Sequence, residues 1–231
     1  MQSARLPKYL ALAEMLTREI AAGHLPDGLP LPPEREMAAN LGVSVGTLRK
    51  ALDTLETQGA LDRVQGSGNY VRASGANRSV YGMLRLEKRG GGGLPTADVL
   101  SVDVLPKPAR APAFGPSAQG HRIRRLRRLD DDPVALEEIW LDGDAALPFA
   151  AADLKDALYL FYKDALGIVI ARAEDRVGVA QVPDWRVDAF SPAIGHRVGY
   201  IERVGKLADG RPVEYSRTWF DDTKAAYINR I

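Results

Sequence analysis

Two stretches of this chain carry residues spaced for chemistry. The first is Ile123-Arg124-Arg125-Leu126-Arg127-Arg128-Leu129. In a strand, alternate side chains share a face, which groups Ile123, Arg125, Arg127 and Leu129 against Arg122, Arg124, Leu126 and Arg128. The first group sets two guanidiniums between apolar neighbours, on the side that the body of the domain should cover. Burying them is costly unless an anion or carboxylates meet them. Arginine forks suit a carboxylate or phosphate held bidentately, so an anion clamp is one reading. The others are a structural ion pair with Glu137 or Glu214, or the basic outer face of an edge strand. Alternation alone slightly favours these structural readings.

The second stretch runs from Leu31 to Val71. Leu48, Ala51, Leu52 and Leu55 recur at the spacing of one buried helical stripe. The opposite face holds Val45, Gly46, Arg49, Lys50 and Asp53, small at its start and basic in its middle. Low bulk at the approaching end with donors further along is what entry into a DNA major groove needs.

The elements that must position this face follow in order. A first helix spans Leu6 to Ala22, with Tyr9, Leu12, Ala13, Leu16 and Ile20 as its apolar stripe and Gly23 as its stop. Pro32-Pro33 leads into a second helix over Glu34–Leu41, where Glu34 and Glu36 complement the helix dipole. Gly42 supplies the left-handed turn, Ser44 caps the third helix with Thr47 three residues on, and Gly59 ends it. Short strands at Ala60–Val64 and Asn69–Arg72 flank Gln65-Gly66-Ser67-Gly68 as a wing. The whole is a winged helix-turn-helix.

From Tyr9 to Val71 the chain resembles the DNA-binding domain of the GntR family of bacterial transcription regulators. LPPER, MAANLGVSVGTLRKALDTLETQGAL and GSGNYV carry the resemblance. It places Arg35 and Arg49 at the DNA. The predicted contact set is Arg35, Ser44, Val45, Thr47, Arg49 and Lys50, with Gly66, Ser67 and Gly68 at the wing tip. Two positions depart from the family pattern: Pro33 replaces a capping Ser, and Val45 replaces an Arg found in many members.

Ala73–Asn77 is small and polar, a linker. Beyond it the pattern turns to short strands near Val80–Leu86, Ala97–Leu105, Arg122–Leu129, Val134–Leu141, Ile168–Val179, Arg197–Leu207 and Pro212–Phe220. One helix, about Ala151 to Leu166, lies among them. An antiparallel sheet in an α+β domain follows. The predicted organisation is 1–72 for the winged helix, 73–78 for the linker and 79–231 for the second domain.

That second part resembles the UTRA effector-binding domain of the HutC subfamily, a fold related to chorismate lyase. RRLRRLDDDPVALEEIWL, DALYLFYKDALGIVIARAEDRV and IERVGKLADGRPVEYSRTWF carry this resemblance. It implies effector binding by Arg125 and Arg127, and hydrogen bonds from ligand hydroxyl or amine groups to Glu137 and Glu214. Ala157 stands where sugar-phosphate-binding members resemble Ser-Leu-Tyr, and Phe220 where they carry Tyr. Losing both hydroxyls favours a smaller or less hydroxylated anion of the carboxylate, phosphate or phosphonate class. The resemblance also implies a homodimer held through this domain.

Composition bounds the remaining alternatives. The 231 residues carry a net charge of +1 and no cysteine, so disulfides and thiolate chemistry are excluded. Residues 1–77 hold 8 basic and 8 acidic side chains, so DNA binding must rest on a few placed residues and two copies. The N-terminus has no signal-peptide pattern and no apolar run reaches membrane length, which predicts a cytoplasmic protein. His24, His121 and His196 show no catalytic or metal spacing, so no metal or cofactor is expected. His24 reads as a solvated loop residue. Lys88-Arg89 and Gly90–Gly93 read as an anion nest or, preferably, a mobile loop. The expectation is a ligand-responsive repressor binding double-stranded operator DNA. A chorismate-lyase-like enzyme is the rival reading.

Overall fold

The structure, a computed structural model, describes residues 6–73, 82–146 and 148–230. It divides into two units: Leu6–Leu94 with the last residues from Tyr227, and Pro95–Ala226.

In the first unit α1 (Lys8–Ala22), α2 (Glu34–Asn40) and α3 (Val45–Gln58) pack around one apolar core. Leu48, Ala51, Leu52 and Leu55 of α3 are fully buried, as their spacing requires. Truncating such a leucine to Ala costs about 2–5 kcal/mol. The Ser44 side chain accepts from Thr47 N at 3.1 Å and caps α3, whereas Pro33 offers α2 no side-chain cap. Gly42 at φ 62° makes the sharp turn between α2 and α3. β1 (Leu61–Val64) and β2 (Gly68–Val71) form the wing hairpin, pinned to the preceding loop by Leu31 N to Asn69 O and Val71 N to Leu29 O.

The same unit holds β3 (Leu86–Lys88), which pairs with β10 (Ala225–Tyr227). Arg18 of α1 donates to Leu86 O. Glu87 accepts from both Gly92 N and the Arg230 guanidinium. Gly91, Gly92 and Gly93 take φ of 91°, 66° and 92°. Gly92 packs so tightly on Glu19 that a Cβ would collide with its carboxylate, and Gly91 lies against Ala22 and His24. The glycine run is therefore a docked turn with a defined conformation, and the expected mobile loop is corrected: only glycine fits both the backbone angles and the approach to α1. His24 is likewise tied down, its Nδ1 2.7 Å from Glu19. Most of the predicted linker lies outside the described residues.

The second unit is built on a six-stranded antiparallel sheet, in the order β4 (Pro95–Pro106), β5 (Gln119–Leu129), β6 (Asp132–Asp142), β9 (Pro212–Phe220), β8 (Arg197–Lys206), β7 (Arg172–Gln181). The β5–β6 hairpin turns on Asp130 and Asp131, both at positive φ, a geometry matched to strand twist. The helix expected over Ala151–Leu166 is broken. A 3-10 turn covers Ala151–Asp153, and α4 (Leu158–Phe161) runs into a wide π-helical turn over Tyr162–Leu166. Between them the chain extends so that buried Asp156 can accept from Ala97 N on the edge strand. That bond, and Asp153 accepting from Ala150 N, outcompete helix continuity.

Candidate nucleic-acid interface and ligand site

On α3, Arg49 is 64% exposed and donates to Glu34 at 2.7 Å, which raises its already high pKa. Lys50 and Arg35 are exposed. Ser44, Gly46, Thr47 and Lys50 line a hollow of about 360 Å³ with Lys8 and Tyr9 of α1. Backbone N–H groups at the start of a helix, flanked by two lysines, form a setting for a phosphate. Val45 turns partly inward against the helical core. In the wing, Gly66 and Gly68 adopt φ of 77° and 130°, and the Ser67 hydroxyl is bonded to that of Tyr70 at 2.6 Å.

In the second unit, cross-strand register puts Arg125 opposite Glu137, on the sheet face covered by α4. Arg125 Nη2 lies 2.7 Å from Glu137 Oε2, and Arg127 meets the same carboxylate through Nε at 3.0 Å and Nη2 at 3.2 Å. All three side chains are at most 6% exposed. Burial alone would raise the Glu137 pKa, but the two guanidinium charges outweigh it and hold the carboxyl down to about 2. One carboxylate thus serves two buried cations.

Glu214 sits apart from this trio. It faces Gly205 across the sheet, where a side chain would crowd it. Its Oε1 accepts from the Tyr159 hydroxyl at 2.6 Å. Burial pushes the Glu214 carboxyl up, against hydrogen bonds from Tyr159 and Tyr162 and the charges of Arg203 and Arg125. Arg203 is clasped by Asp175 through two bonds of 2.6 and 2.7 Å. The Tyr162 hydroxyl is buried beside the Glu214 carboxylate, and burial together with that charge pushes its pKa well up.

Comparison with known proteins fits both ends of the molecule. Residues 8–71 match the model of bacterial regulatory proteins of the gntR family, and residues 91–225 match the UTRA domain. The chain belongs to the GntR family, in its UTRA-containing HutC subfamily. It is 52% identical to the HTH-type transcriptional regulator SmoD of Agrobacterium fabrum over 98% of this chain and 97% of that protein. It is 30% identical to the mannosyl-D-glycerate transport/metabolism system repressor MngR of Escherichia coli, over 96% and 95%. The solved structure of the possible regulator YydK of Bacillus subtilis shares the fold, with a TM-score of 0.54 at 20% identity, covering 98% of this chain and all of that one. These relatives are regulators, which decides against the lyase alternative.

For this GntR-family chain, the sequence-predicted residues fall into three groups. Arg35, Ser44, Thr47, Arg49 and Lys50, with Gly66, Ser67 and Gly68, lie on exposed or partly exposed positions of the winged helix. Arg125, Arg127 and Glu137 come together as one buried cluster. Glu214 shares their sheet face but bonds Tyr159 instead. Sequence reasoning missed Lys8 and Tyr9, and the trio Tyr159, Arg203 and Asp175. The alternation Ile201, Arg203, Gly205 in one strand was the available signal, but it needs the β7–β8–β9 register to gain meaning. Phe220 packs its ring over Gly199, filling the space a side chain there would take. Among the described residues no cluster of metal-ligating side chains occurs, and no helix is long and apolar enough to cross a membrane.

Proposed function

We propose that this transcriptional regulator is a repressor that binds operator DNA as a homodimer and is released by a small anionic effector held by Arg125 and Arg127. The observation that carries the reading is the pair of buried guanidiniums sharing one carboxylate. An incoming carboxylate, phosphate or phosphonate competes for the same donors as Glu137. The relative MngR is a repressor by its name, which supports that sign of regulation.

Arg49 reads a base edge in the major groove, and Lys50, Lys8 and the start of α3 take phosphates. The wing tip enters the adjacent minor groove. Two copies supply the affinity that a first domain of balanced charge lacks. The sheet supports their pairing: β7 is an edge strand on which Val177 and Val179 are 54% and 60% exposed.

Effector binding must favour one arrangement of the dimer, since equal affinity for both shifts nothing. Arg125→Ala and Arg127→Ala are expected to keep operator binding and lose release. Fluorescence anisotropy of a labelled operator, titrated with each variant before and after effector, tests this. A folded variant that releases DNA at the parent's effector concentration removes the clamp from the mechanism.

A further inference from the structure

A row of charges crosses the sheet on the face away from α4. Cross-strand register lines up Arg124 on β5, Glu138 on β6, Arg217 on β9, Glu202 on β8 and Arg176 on β7. Arg124 and Glu138 each sit one residue along from the clamp, and so on the other side of the sheet. The signs alternate, yet the pairing does not run to the end. Buried Glu138 takes both of its neighbours, Arg124 at 2.8 Å and Arg217, together with the Trp140 indole N–H at 3.1 Å. Arg176, exposed on the edge strand, reaches Glu174 at 3.5 Å. Among the described residues Glu202 makes no ion pair, although an arginine flanks it on either side.

Glu202 is held by two phenols instead. Tyr215 donates to its Oε1 at 2.8 Å, and Tyr200 donates to the same oxygen at 3.1 Å. Burial and Glu202 itself push both hydroxyls up, Tyr200 to about 12, so both remain donors at neutral pH. Oε2 accepts from no group among the described residues. A half-buried carboxylate with a fixed orientation and no cation suits one arriving from outside.

The carboxylate lines a hollow of about 290 Å³ between β7, β8, β9 and the loop from β4 to β5. Val204 and the Tyr215 ring, stacked on Phe114 at 5.9 Å between centroids, supply its apolar wall. Arg110 and Arg176 add two guanidiniums, and Arg110 has no hydrogen bond or ion pair among the described residues. Glu174, shared between Arg176 and Lys206, is the second carboxylate. The lining therefore holds two cations and two anions, and a ligand matched to it carries both signs itself. The volume lies at the small end of ligand pockets, which limits that ligand to a few heavy atoms beyond its charged groups.

We propose that this hollow is a second ligand site, on the opposite face of the sheet from the arginine clamp, and that it takes a small zwitterion of the amino-acid class, with the ammonium on Glu202 Oε2 and the carboxylate on Arg110 and Arg176. It stands whether or not the clamp binds an effector.

The test uses four probes. Norvaline and 5-aminopentanoate carry both charges on one five-carbon chain; pentanoate lacks the ammonium and butylamine lacks the carboxylate. Calorimetric titration of the full chain at neutral pH is expected to show at least one zwitterion binding roughly 10- to 100-fold more tightly than either control. Glu202→Gln leaves an acceptor for both tyrosines but removes the charge, so it should bring that zwitterion down to the level of pentanoate. Arg110→Ala changes an exposed side chain that holds nothing else in place, so it should fold and weaken the zwitterion roughly two- to fivefold. It decides the matter if the Glu202 variant does not fold. Arg176→Ala should weaken binding as well; tighter binding would mean that Arg176 fills the site itself, and would overturn the proposal. A carboxylate held at the clamp on the other face does not sense Glu202. A zwitterion that binds Glu202→Gln as it binds the parent therefore lies elsewhere, and this too overturns the proposal. So does a parent that binds neither zwitterion, or binds pentanoate or butylamine equally well.

Discussion

Glu137→Gln isolates the physics of the clamp. The change keeps the shape of the side chain and removes the charge shared by Arg125 and Arg127, both 3% exposed. Removing one partner of a buried ion pair costs about 3–5 kcal/mol, because the remaining charge is left uncompensated. Here the carbonyls of Asp156 and Thr96, each 3.4 Å from a guanidinium nitrogen, soften the loss, which argues for the lower part of that range. At about 2–4 °C per kcal/mol for a chain of this size, melting should fall by roughly 6–12 °C. Added phosphate should restore part of it, since an anion at a hundred times its Kd returns about 2.7 kcal/mol. Chloride at equal ionic strength should not. The pH dependence has a fixed sign. The Glu137 pKa is depressed, so its stabilisation is complete above the ordinary value of 4.5 and is lost as pH falls through about 2. The variant's melting curve should converge on the parent's at the acid end. Scanning calorimetry with both salts checks all three points. A variant that melts with the parent at neutral pH, or recovers equally in chloride, refutes the buried-cation account.

Three further outcomes are expected. Glu34→Gln frees Arg49 from its ion pair and removes a negative charge beside the DNA, so operator affinity should rise, while Arg49→Ala should lose about 1–3 kcal/mol and relax one base position in a binding-site selection. His24 has its pKa raised by the hydrogen bond and charge of Glu19, so this contact stabilises below the unfolded pKa and fades as pH rises through the folded one; an NMR titration should place His24 above 6.5, and Glu19→Gln should bring it back. Gly92→Ala must adopt a positive φ and crowd Glu19, so it should cost roughly 1–2 kcal/mol from backbone strain alone, measured by urea unfolding, whereas Gly90→Ala, with open space and no positive φ, should be nearly silent.

The winged helix was legible because its signals are local. The cap at Ser44, the turn at Gly42 and the stripe from Leu48 to Leu55 each act within a few residues. The two-residue alternation of a strand likewise set Arg125 and Arg127 on one face, but it left Glu137 and Glu214 both open as their partner, and the β5–β6 register decides for Glu137. What escaped depends on distant pairing. Tyr159, Arg203 and Asp175 come from α4, β8 and β7, and their meeting is fixed by sheet order rather than by spacing. The break in the helix over 151–166 escaped for the same reason: Leu154, Leu158 and Phe161 fit a helical stripe, but a hydrogen bond from Ala97 to Asp156 overrides it. The glycine run misled because four glycines look the same in a mobile loop and in a docked turn; only Glu19 and His24 beside them decide which.

The central claim is that one set of buried arginines couples a small anion to DNA release. The most direct measurement is operator binding by anisotropy for the parent and Arg127→Ala, with and without the anion that most raises the parent's melting temperature. The account predicts that both proteins bind operator alike without the anion and that only the parent lets go when it is added. Equal release from both, with the variant folded, would contradict it.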